Sequence, residues 1–256
     1  MVSTRNHPKN FPSPTLSPSK QYPSTDDTMG TPSPTKRSAA SSTSSTSQWQ
    51  HIPSRLTLIW LALSLPLVAW DTGYVLLRPH SMPGGSLHSP LWTPYALYGR
   101  VDYIYGFKAW EAHNGFTAAQ GTLNVIESLG YAVYLWILLA YGRETAAGQK
   151  GKEVARVGVG LGWLGEGRVV SGRLAAWAVL VGFGTSLMTV SKTALYWLNE
   201  AFSGFDNIGH NSLVDLTFMW IIPNGLWLVF PSYMIYVFGQ EVLDGLESAS
   251  ETKKRR

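Results

Sequence analysis

One stretch of the chain, Thr122–Tyr141 (TLNVIESLGYAVYLWILLAY), restricts the possible folds more than any other. It has the length and apolar composition of a helix that spans a bilayer. The stretch nevertheless contains Glu127, about a turn and a half from its start. A carboxylate in hydrocarbon is costly, so such a group faces the protein interior and has a role there. The sequence therefore predicts a membrane helix that packs against other helices and buries an acid.

Three further stretches have the same character. Together they predict an all-α integral membrane protein, built as a four-helix transmembrane bundle. The loop between the first two helices, residues 78–121, is long and rich in aromatic residues, so we expect it to pack across the helix ends. The predicted spans are residues 56–77, 122–141, 174–198 and 213–238.

The regions outside the spans are polar. Residues 1–54 are rich in Ser, Thr and Pro, which predicts a disordered tail before a membrane domain over residues 55–242. Residues 243–256 form a basic tail. Lys and Arg are concentrated in the N-terminal flank, the second loop and this tail, which predicts that both termini are cytoplasmic. The last four residues resemble a dilysine retrieval signal of the endoplasmic reticulum, although a plain basic anchor explains them nearly as well.

Ionisable residues at one depth in three predicted helices define the candidate site. Asp71 lies near the end of the first span, Glu127 near the start of the second, and Lys192 near the end of the third. Because neighbouring helices run antiparallel, all three lie about 7–9 Å below the same, non-cytoplasmic surface. Two interpretations remain open. Lys192 forms a buried ion pair with Asp71 or Glu127 that holds the bundle together, or the two carboxylates line a cavity and move protons or stabilise a cation.

Other kinds of site are excluded or disfavoured. The chain has no cysteine, which excludes disulfides, thiolate metal sites and cysteine nucleophiles. It has no phosphate-binding loop, no GxGxxG motif that opens a helix and no nucleophile elbow, so we expect no cofactor. Its basic residues indicate membrane topology and lipid headgroups, not nucleic acid. His80, His88, His113 and Glu111 share the long loop, but their spacing matches no recognised ligand pattern and predicts no metal site.

Short blocks of the sequence match a known family of membrane proteins in their order. The best match is NGLWLVFP, Asn224–Pro231, which follows ALYWLNE, Ala194–Glu200, and GFDNIGH, Gly204–His210. WDTGYVLL, Trp70–Leu77, lies in the first span, and Glu127 falls on the acid of the family's second helix. With these blocks the chain resembles the EXPERA family, and within it the emopamil-binding, sterol Δ8–Δ7 isomerase branch. The resemblance covers essentially all of the predicted membrane domain.

This resemblance implies a sterol cavity inside the bundle. In such isomerases an acid protonates the Δ8 double bond, and a proton then leaves from C7. Glu127 and Asp71 would form the catalytic pair, Trp227 would face the carbocation, and Asn224 would orient a neighbouring group. The expected ligand is a sterol or another hydrophobic amphiphile, in the membrane of the endoplasmic reticulum; a homodimer is an open alternative to a monomer. The side chains expected to bind the substrate are Trp227, Asn224, Tyr131, Tyr196 and Lys192.

The chain departs from the family pattern at several positions. Leu67 stands where the isomerases have a histidine, one turn before the first-helix acid, and Asp71 replaces their glutamate. The family's third-helix acid falls near Thr193, beside Lys192. These departures leave three functions open. They are an intramolecular isomerase that shifts a sterol double bond, a non-catalytic sterol- or lipid-binding protein like the sigma-2 branch, and a scaffolding role through the tail and long loop.

Overall fold

The computed structural model of the chain describes residues 49–144 and 161–254. These residues belong to one compact unit, Ser45–Arg256. The predicted disorder of residues 1–48 lies outside the described residues, as do residues 145–160 of the second loop.

Helices make up most of the described chain. Within it, four helical segments are long and apolar enough to cross a membrane, and the last of them, Leu213–Glu251, contains a π-helical turn at Leu216–Ile221. The predicted four-helix transmembrane architecture is therefore confirmed, and the chain is a multi-pass membrane protein. In chain order the helices are α1 (Arg55–Leu76), α2 (Tyr95–Val101), α3 (Phe107–Glu111), α4 (Phe116–Tyr141), α5 (Arg173–Phe202), α6 (Leu213–Asp215) and α7 (Ile222–Lys254).

The ends of the helices differ from the predicted bounds. Helix α4 begins at Phe116 rather than at Thr122, and α5 continues to Phe202. Helix α7 runs on to Lys254, through most of the segment predicted as a separate basic tail. The reason is the same in each case. Hydropathy locates the apolar part of a helix, whereas the helix itself continues through polar residues wherever its backbone hydrogen bonds continue.

Packing between α5 and α7 depends on one of two neighbouring glycines. A Cβ on Gly182 would lie 2.7 Å from the Phe238 ring, so any larger residue would force the ring or the helices to shift. A Cβ on Gly184 would meet nothing within 4 Å. Small residues let membrane helices approach closely, and here Gly182 provides that contact while Gly184 does not.

Three short strands tie the N-terminal segment to the bundle. They are β1 (Gln50–His51), β2 (Arg143–Glu144) and β3 (Arg168–Ser171), paired antiparallel in the order β1-β3-β2. His51 is buried, with its ring nitrogens 2.7 Å from Glu241 Oε2 and 3.0 Å from Tyr134 Oη. The prediction that the disordered tail extends to Ser54 was therefore wrong for residues 49–54. Strand pairing and a buried histidine depend on distant residues, which composition does not detect.

Residues 77–115, hereafter the capping loop, pack across one end of the bundle as predicted. The Tyr95 ring stacks on Tyr74 of α1, with centroids 3.9 Å apart. The loop also forms hydrogen bonds with the segment between α5 and α6. The Tyr103 N–H donates to Asn207 O at 3.2 Å. Lys108 donates to Asp206 Oδ2 at 2.7 Å. The capping loop is thus a packed part of the domain.

Candidate functional site

A cavity of about 640 Å³ lies beneath the capping loop. Its walls come from α1, α2, α4, α5, the π-helical turn and the first turns of α7, and they are mostly apolar. This volume is within the range of roughly 300–1,000 Å³ that is usual for small-molecule sites. Five of the seven predicted site residues line it: Asp71, Lys192, Tyr196, Asn224 and Trp227.

Asp71 is the only acidic side chain among the described residues that line this cavity. Its carboxylate accepts a hydrogen bond from the Tyr95 hydroxyl at 2.6 Å and a longer one from Tyr105 at 3.5 Å. Both tyrosines come from the capping loop and line the cavity themselves. The loop therefore orients the carboxylate that α1 provides. The sequence analysis missed these partners, although the four tyrosines between residues 95 and 105 are a signal that could have found them.

Glu127 does not line the cavity with Asp71. It accepts hydrogen bonds from Lys192 Nζ and from Thr189 Oγ1, each at 3.0 Å, and Lys192 also donates to Asn124 Oδ1. The first of the two interpretations is confirmed: Lys192 forms a buried ion pair, and its partner is Glu127. The expected arrangement of two carboxylates on one cavity wall is not found, because α5 inserts the ammonium group beside Glu127.

A second, much smaller void lies next to the ion pair. It is lined by Glu127, Tyr131 and Trp227, and Trp227 also forms part of the large cavity. The Tyr131 hydroxyl lies 3.3 Å from both Ser186 Oγ and Thr189 Oγ1. Tyr131 therefore packs between α4 and α5 and does not reach the large cavity.

The fourth membrane segment contributes Asn224 and Trp227. The Asn224 amide donates to the Trp220 carbonyl at 2.9 Å, one helical turn earlier. Trp227 packs edge-on against Trp60 of α1, with ring centroids 5.1 Å apart. Both side chains thus hold fixed positions on the cavity wall.

Asp102 in the capping loop is a buried acid that the sequence analysis did not single out. It accepts hydrogen bonds from the Tyr196 hydroxyl, from Trp220 Nε1 at 2.9 Å and from the Ile104 N–H at 3.0 Å. Burial raises the pKa of Asp102 to about 6, and the bond from Tyr196 opposes that rise. Tyr196 therefore connects a loop carboxylate to the cavity wall.

Arg78 anchors the start of the capping loop. Its guanidinium donates to Thr117 Oγ1 of α4 at 2.6 Å and to the Ile104 carbonyl at 3.3 Å. Burial lowers the pKa of Arg78 from its ordinary value. These two bonds connect the capping loop, which contains Asp102, to α4, which contains Glu127.

Two positions at which the chain departs from the EXPERA pattern also lie on the cavity wall. Leu67 and Thr193 both line it, so the places where the family has a histidine and an acid hold an apolar and a hydroxyl side chain. Among the described residues, no three His, Cys, Asp or Glu side chains come together as a metal site would need. The ring Nδ1 of His88 lies 2.9 Å from the Ser81 carbonyl instead.

Comparison of the chain with models of protein families, with curated proteins and with solved structures found no match. The family resemblance therefore stands on the sequence blocks alone, and the roles of the site residues stay predictions.

Proposed function

We propose that this protein binds a sterol, or an amphiphile of similar rigid shape, in the cavity beneath the capping loop, and shifts a ring double bond by proton transfer at Asp71. One observation carries the proposal: a largely apolar cavity of about 640 Å³ between the candidate membrane helices has one carboxylate, held by two tyrosines, in its wall. Ionisable groups inside membrane proteins are rare and mark functional sites. The resemblance to the emopamil-binding branch supports the choice of ligand and reaction.

The reaction needs one acid that returns to its starting state. Protonated Asp71 gives its proton to C9, and the electrons of the C8–C9 double bond form the new C–H bond and leave a cation at C8. The carboxylate then removes a proton from C7, and the electrons of that C–H bond close the C7–C8 double bond. Walls that are mostly apolar favour a site from which a bound ligand displaces water, and water would otherwise trap the cation.

The role given to Asp71 differs from the predicted catalytic pair. Glu127 is neutralised by Lys192 and lies outside the large cavity, so it supports the bundle instead of exchanging a proton with the ligand. Trp227 lines the same cavity, and an indole ring is suited to stabilise a nearby cation.

A second candidate function is sterol or lipid binding without chemistry. The observation that favours it is the composition of the wall, which has Leu67 and Thr193 where the isomerases place proton-handling groups. Ligand binding does not require a second carboxylate in the cavity. Proton transfer is more sensitive to the absence of the histidine and the acid.

Turnover in a yeast that lacks its own sterol C8 isomerase separates the two functions. Accumulated Δ8 sterols should become Δ7 sterols, as measured by gas chromatography and mass spectrometry. Asp71→Asn should lower conversion roughly 100-fold or more. The matched control is Asp206→Asn, an exposed carboxylate on the loop between α5 and α6, which should convert normally. Persistent Δ8 sterols with the protein present in the membrane would reject the isomerase and leave the binding protein.

The double variant Glu127→Gln, Lys192→Met tests which acid moves the proton. It removes the ion pair without leaving either charge unpaired, and it should retain turnover if Asp71 does the chemistry. Loss of turnover in the folded double variant, equal to that of Asp71→Asn and reproduced by folded Glu127→Gln alone, would return Glu127 to the catalytic role that the sequence predicted, because Lys192 itself lines the cavity.

We also propose residence in the endoplasmic reticulum with both termini cytoplasmic, on the strength of the basic flanks and the C-terminal lysines. Since the chain has no cysteine, single cysteines can report topology without a background. Ser250→Cys should react with an impermeant maleimide from the cytoplasmic side, and Ser203→Cys, after α5, only from the other side. The reverse pattern would invert the proposed orientation.

A further inference from the structure

The cavity beneath the capping loop is partly open, and its walls differ in exposure from one side to the other. The described lining residues of α4 and α5 are buried or half-buried, and so are Asp71 and its two tyrosine partners. The exposed lining residues come instead from α1, the capping loop and the last membrane segment. They are Leu67, Pro94, Leu97, Phe218, Ile222 and Leu226. The cavity therefore reaches the protein surface on the side that these residues share.

This exposed part of the lining, hereafter the portal, is apolar throughout. Phe218 is 67 % exposed and Leu226 is 39 % exposed. Among the described residues of the lining, every charged or hydrogen-bonding side chain lies on the buried or half-buried part of the wall. Contiguous exposed apolar surface is suited to contact with a membrane or an apolar partner. The portal thus fits contact with hydrocarbon better than contact with water.

The portal also lies at the depth of the hydrocarbon. At a rise of about 1.5 Å per residue, Leu67 is about 14 Å from the end of α1 at Leu76. By the same measure Leu226 is about 20 Å from Leu213, where the last membrane segment begins. The hydrocarbon core of a bilayer is about 30 Å thick. The portal therefore extends to the middle of the bilayer, where acyl chains surround the helices.

Contacts on both sides of the portal direct the opening sideways. On the side away from the capping loop, Trp60 of α1 stacks on Phe230 of α7 with centroids 4.5 Å apart. Trp60 also packs edge-on against Trp227 at 5.1 Å. On the other side, the capping loop is bonded to the last segment's approach, since Asn211 Nδ2 donates to the Val101 carbonyl at 2.7 Å. The space between these contacts lies between α1 and the last membrane segment.

We propose that the ligand enters and leaves the cavity through this portal, sideways from the hydrocarbon of the membrane. Such a path keeps the apolar surface of the ligand out of water on its way to Asp71. It also leaves the capping loop in place, with Tyr95 bonded to Asp71, while the ligand passes. The inference rests on the proposed function for the class of ligand, and not on the double-bond shift.

The surroundings of the portal can be measured without any ligand. Because the chain has no cysteine, a nitroxide can be attached to Leu67→Cys or Leu226→Cys in lipid nanodiscs. Collisions with oxygen, which concentrates in hydrocarbon, should exceed those with a water-soluble nickel chelate at both sites. Leu129→Cys, exposed on α4 outside the cavity, gives the lipid reference, and Ser203→Cys, after α5, gives the aqueous one. Nickel access at the portal equal to that at Ser203→Cys would overturn the proposal.

Variants that narrow or widen the portal test whether the ligand uses it. Radiolabelled cholest-8-en-3β-ol would be delivered from vesicles to the full chain in nanodiscs, and its association and dissociation followed. Leu226→Trp should slow both rate constants roughly tenfold while Kd stays within about threefold, because a barrier on the path affects entry and exit alike. Phe218→Ala should raise both rate constants. The matched control is Leu187→Trp on α5, similarly exposed but outside the cavity, which should keep the wild-type rates.

The outcomes separate this inference from the proposed function. Failure of the sterol to bind the wild-type protein would reject the proposed ligand, while the nitroxide measurement still decides whether the portal faces hydrocarbon. Sterol binding with unchanged rates in Leu226→Trp and Phe218→Ala would overturn the portal and leave the binding site. A weaker Kd through faster dissociation alone would make Leu226 a wall contact, which also overturns the portal. Phe218→Ala shortens an exposed side chain, so it keeps the test decisive if Leu226→Trp does not fold.

Discussion

The ion pair between Lys192 and Glu127 allows a quantitative test of what holds the bundle together. The Nζ–Oε2 distance is 3.0 Å, and the two side chains are 8 % and 5 % exposed. Lys192→Met keeps the apolar stem of the side chain but leaves the glutamate charge buried without its counter-ion. Glu127 would retain the bond from Thr189, while its Oε1 already has no partner among the described residues.

The size of the effect follows from burial. Removing one partner of a buried ion pair typically costs about 3–5 kcal/mol, because the remaining charge is uncompensated. In a domain of this size each kcal/mol lowers Tm by about 2–4 °C. We therefore expect Lys192→Met to lower Tm by about 6–20 °C. The double variant Lys192→Met, Glu127→Gln removes both charges and should recover most of the loss, since neutral replacements of a buried pair are often as stable as the pair itself.

Thermal unfolding followed by tryptophan fluorescence in one detergent would measure these differences. The matched control is Lys108→Met, which breaks the pair with Asp206 at the surface, where the side chains are 46 % and 64 % exposed. Exposed pairs contribute about 1 kcal/mol or less, so this variant should lose no more than about 4 °C. An equal Tm for the two single variants, or a double variant no more stable than Lys192→Met, would refute the assignment of the pair to the bundle.

Three further variants test other parts of the fold by the same thermal measurement. Gly182→Ala should cost about 1–3 kcal/mol through overpacking at the α5–α7 contact, whereas Gly184→Ala, in open space, should be neutral or slightly stabilising; equal losses would contradict the packing. Burial raises the pKa of Asp102 from 3.8 to about 6. Protonated Asp102 therefore contributes about 3 kcal/mol to the free energy of unfolding below about pH 4, and this contribution is lost as the pH rises through 6. Asp102→Asn should make Tm less dependent on pH between pH 4 and 7. An equal change of Tm with pH in the variant and the wild-type protein would refute this. His51→Ala should cost about 1–3 kcal/mol by leaving two partners unbonded, while exposed His80→Ala should change little.

The sequence predicted the membrane architecture because the relevant signal is local. A run of apolar residues long enough to cross a bilayer has to be a helix there, since no water can satisfy its backbone groups. The prediction that Glu127 and Lys192 lie at the same level of the bundle was obtained in the same way, by counting residues from the ends of two antiparallel spans at a fixed rise per residue. That depth was sufficient to predict an ion pair as one alternative, and the structure has this pair.

The partners of each polar side chain depended on contacts between residues far apart in the chain. The tyrosines between residues 95 and 105 suggest partners for a buried acid, but they do not specify that Tyr95 would bond to Asp71 across 24 positions, or that Asp102 would hold Tyr196 across 94. The strand at Gln50–His51 exists only because β3 lies beside it.

The sequence by itself thus determined the number of spans and the level at which Glu127 and Lys192 meet, because hydropathy and helix geometry act within one segment. The tertiary structure decided which acid faces the cavity and which is neutralised. The reason is physical: the rotation of each helix about its axis, and the course of the capping loop, are fixed by side-chain packing summed over all the neighbouring segments.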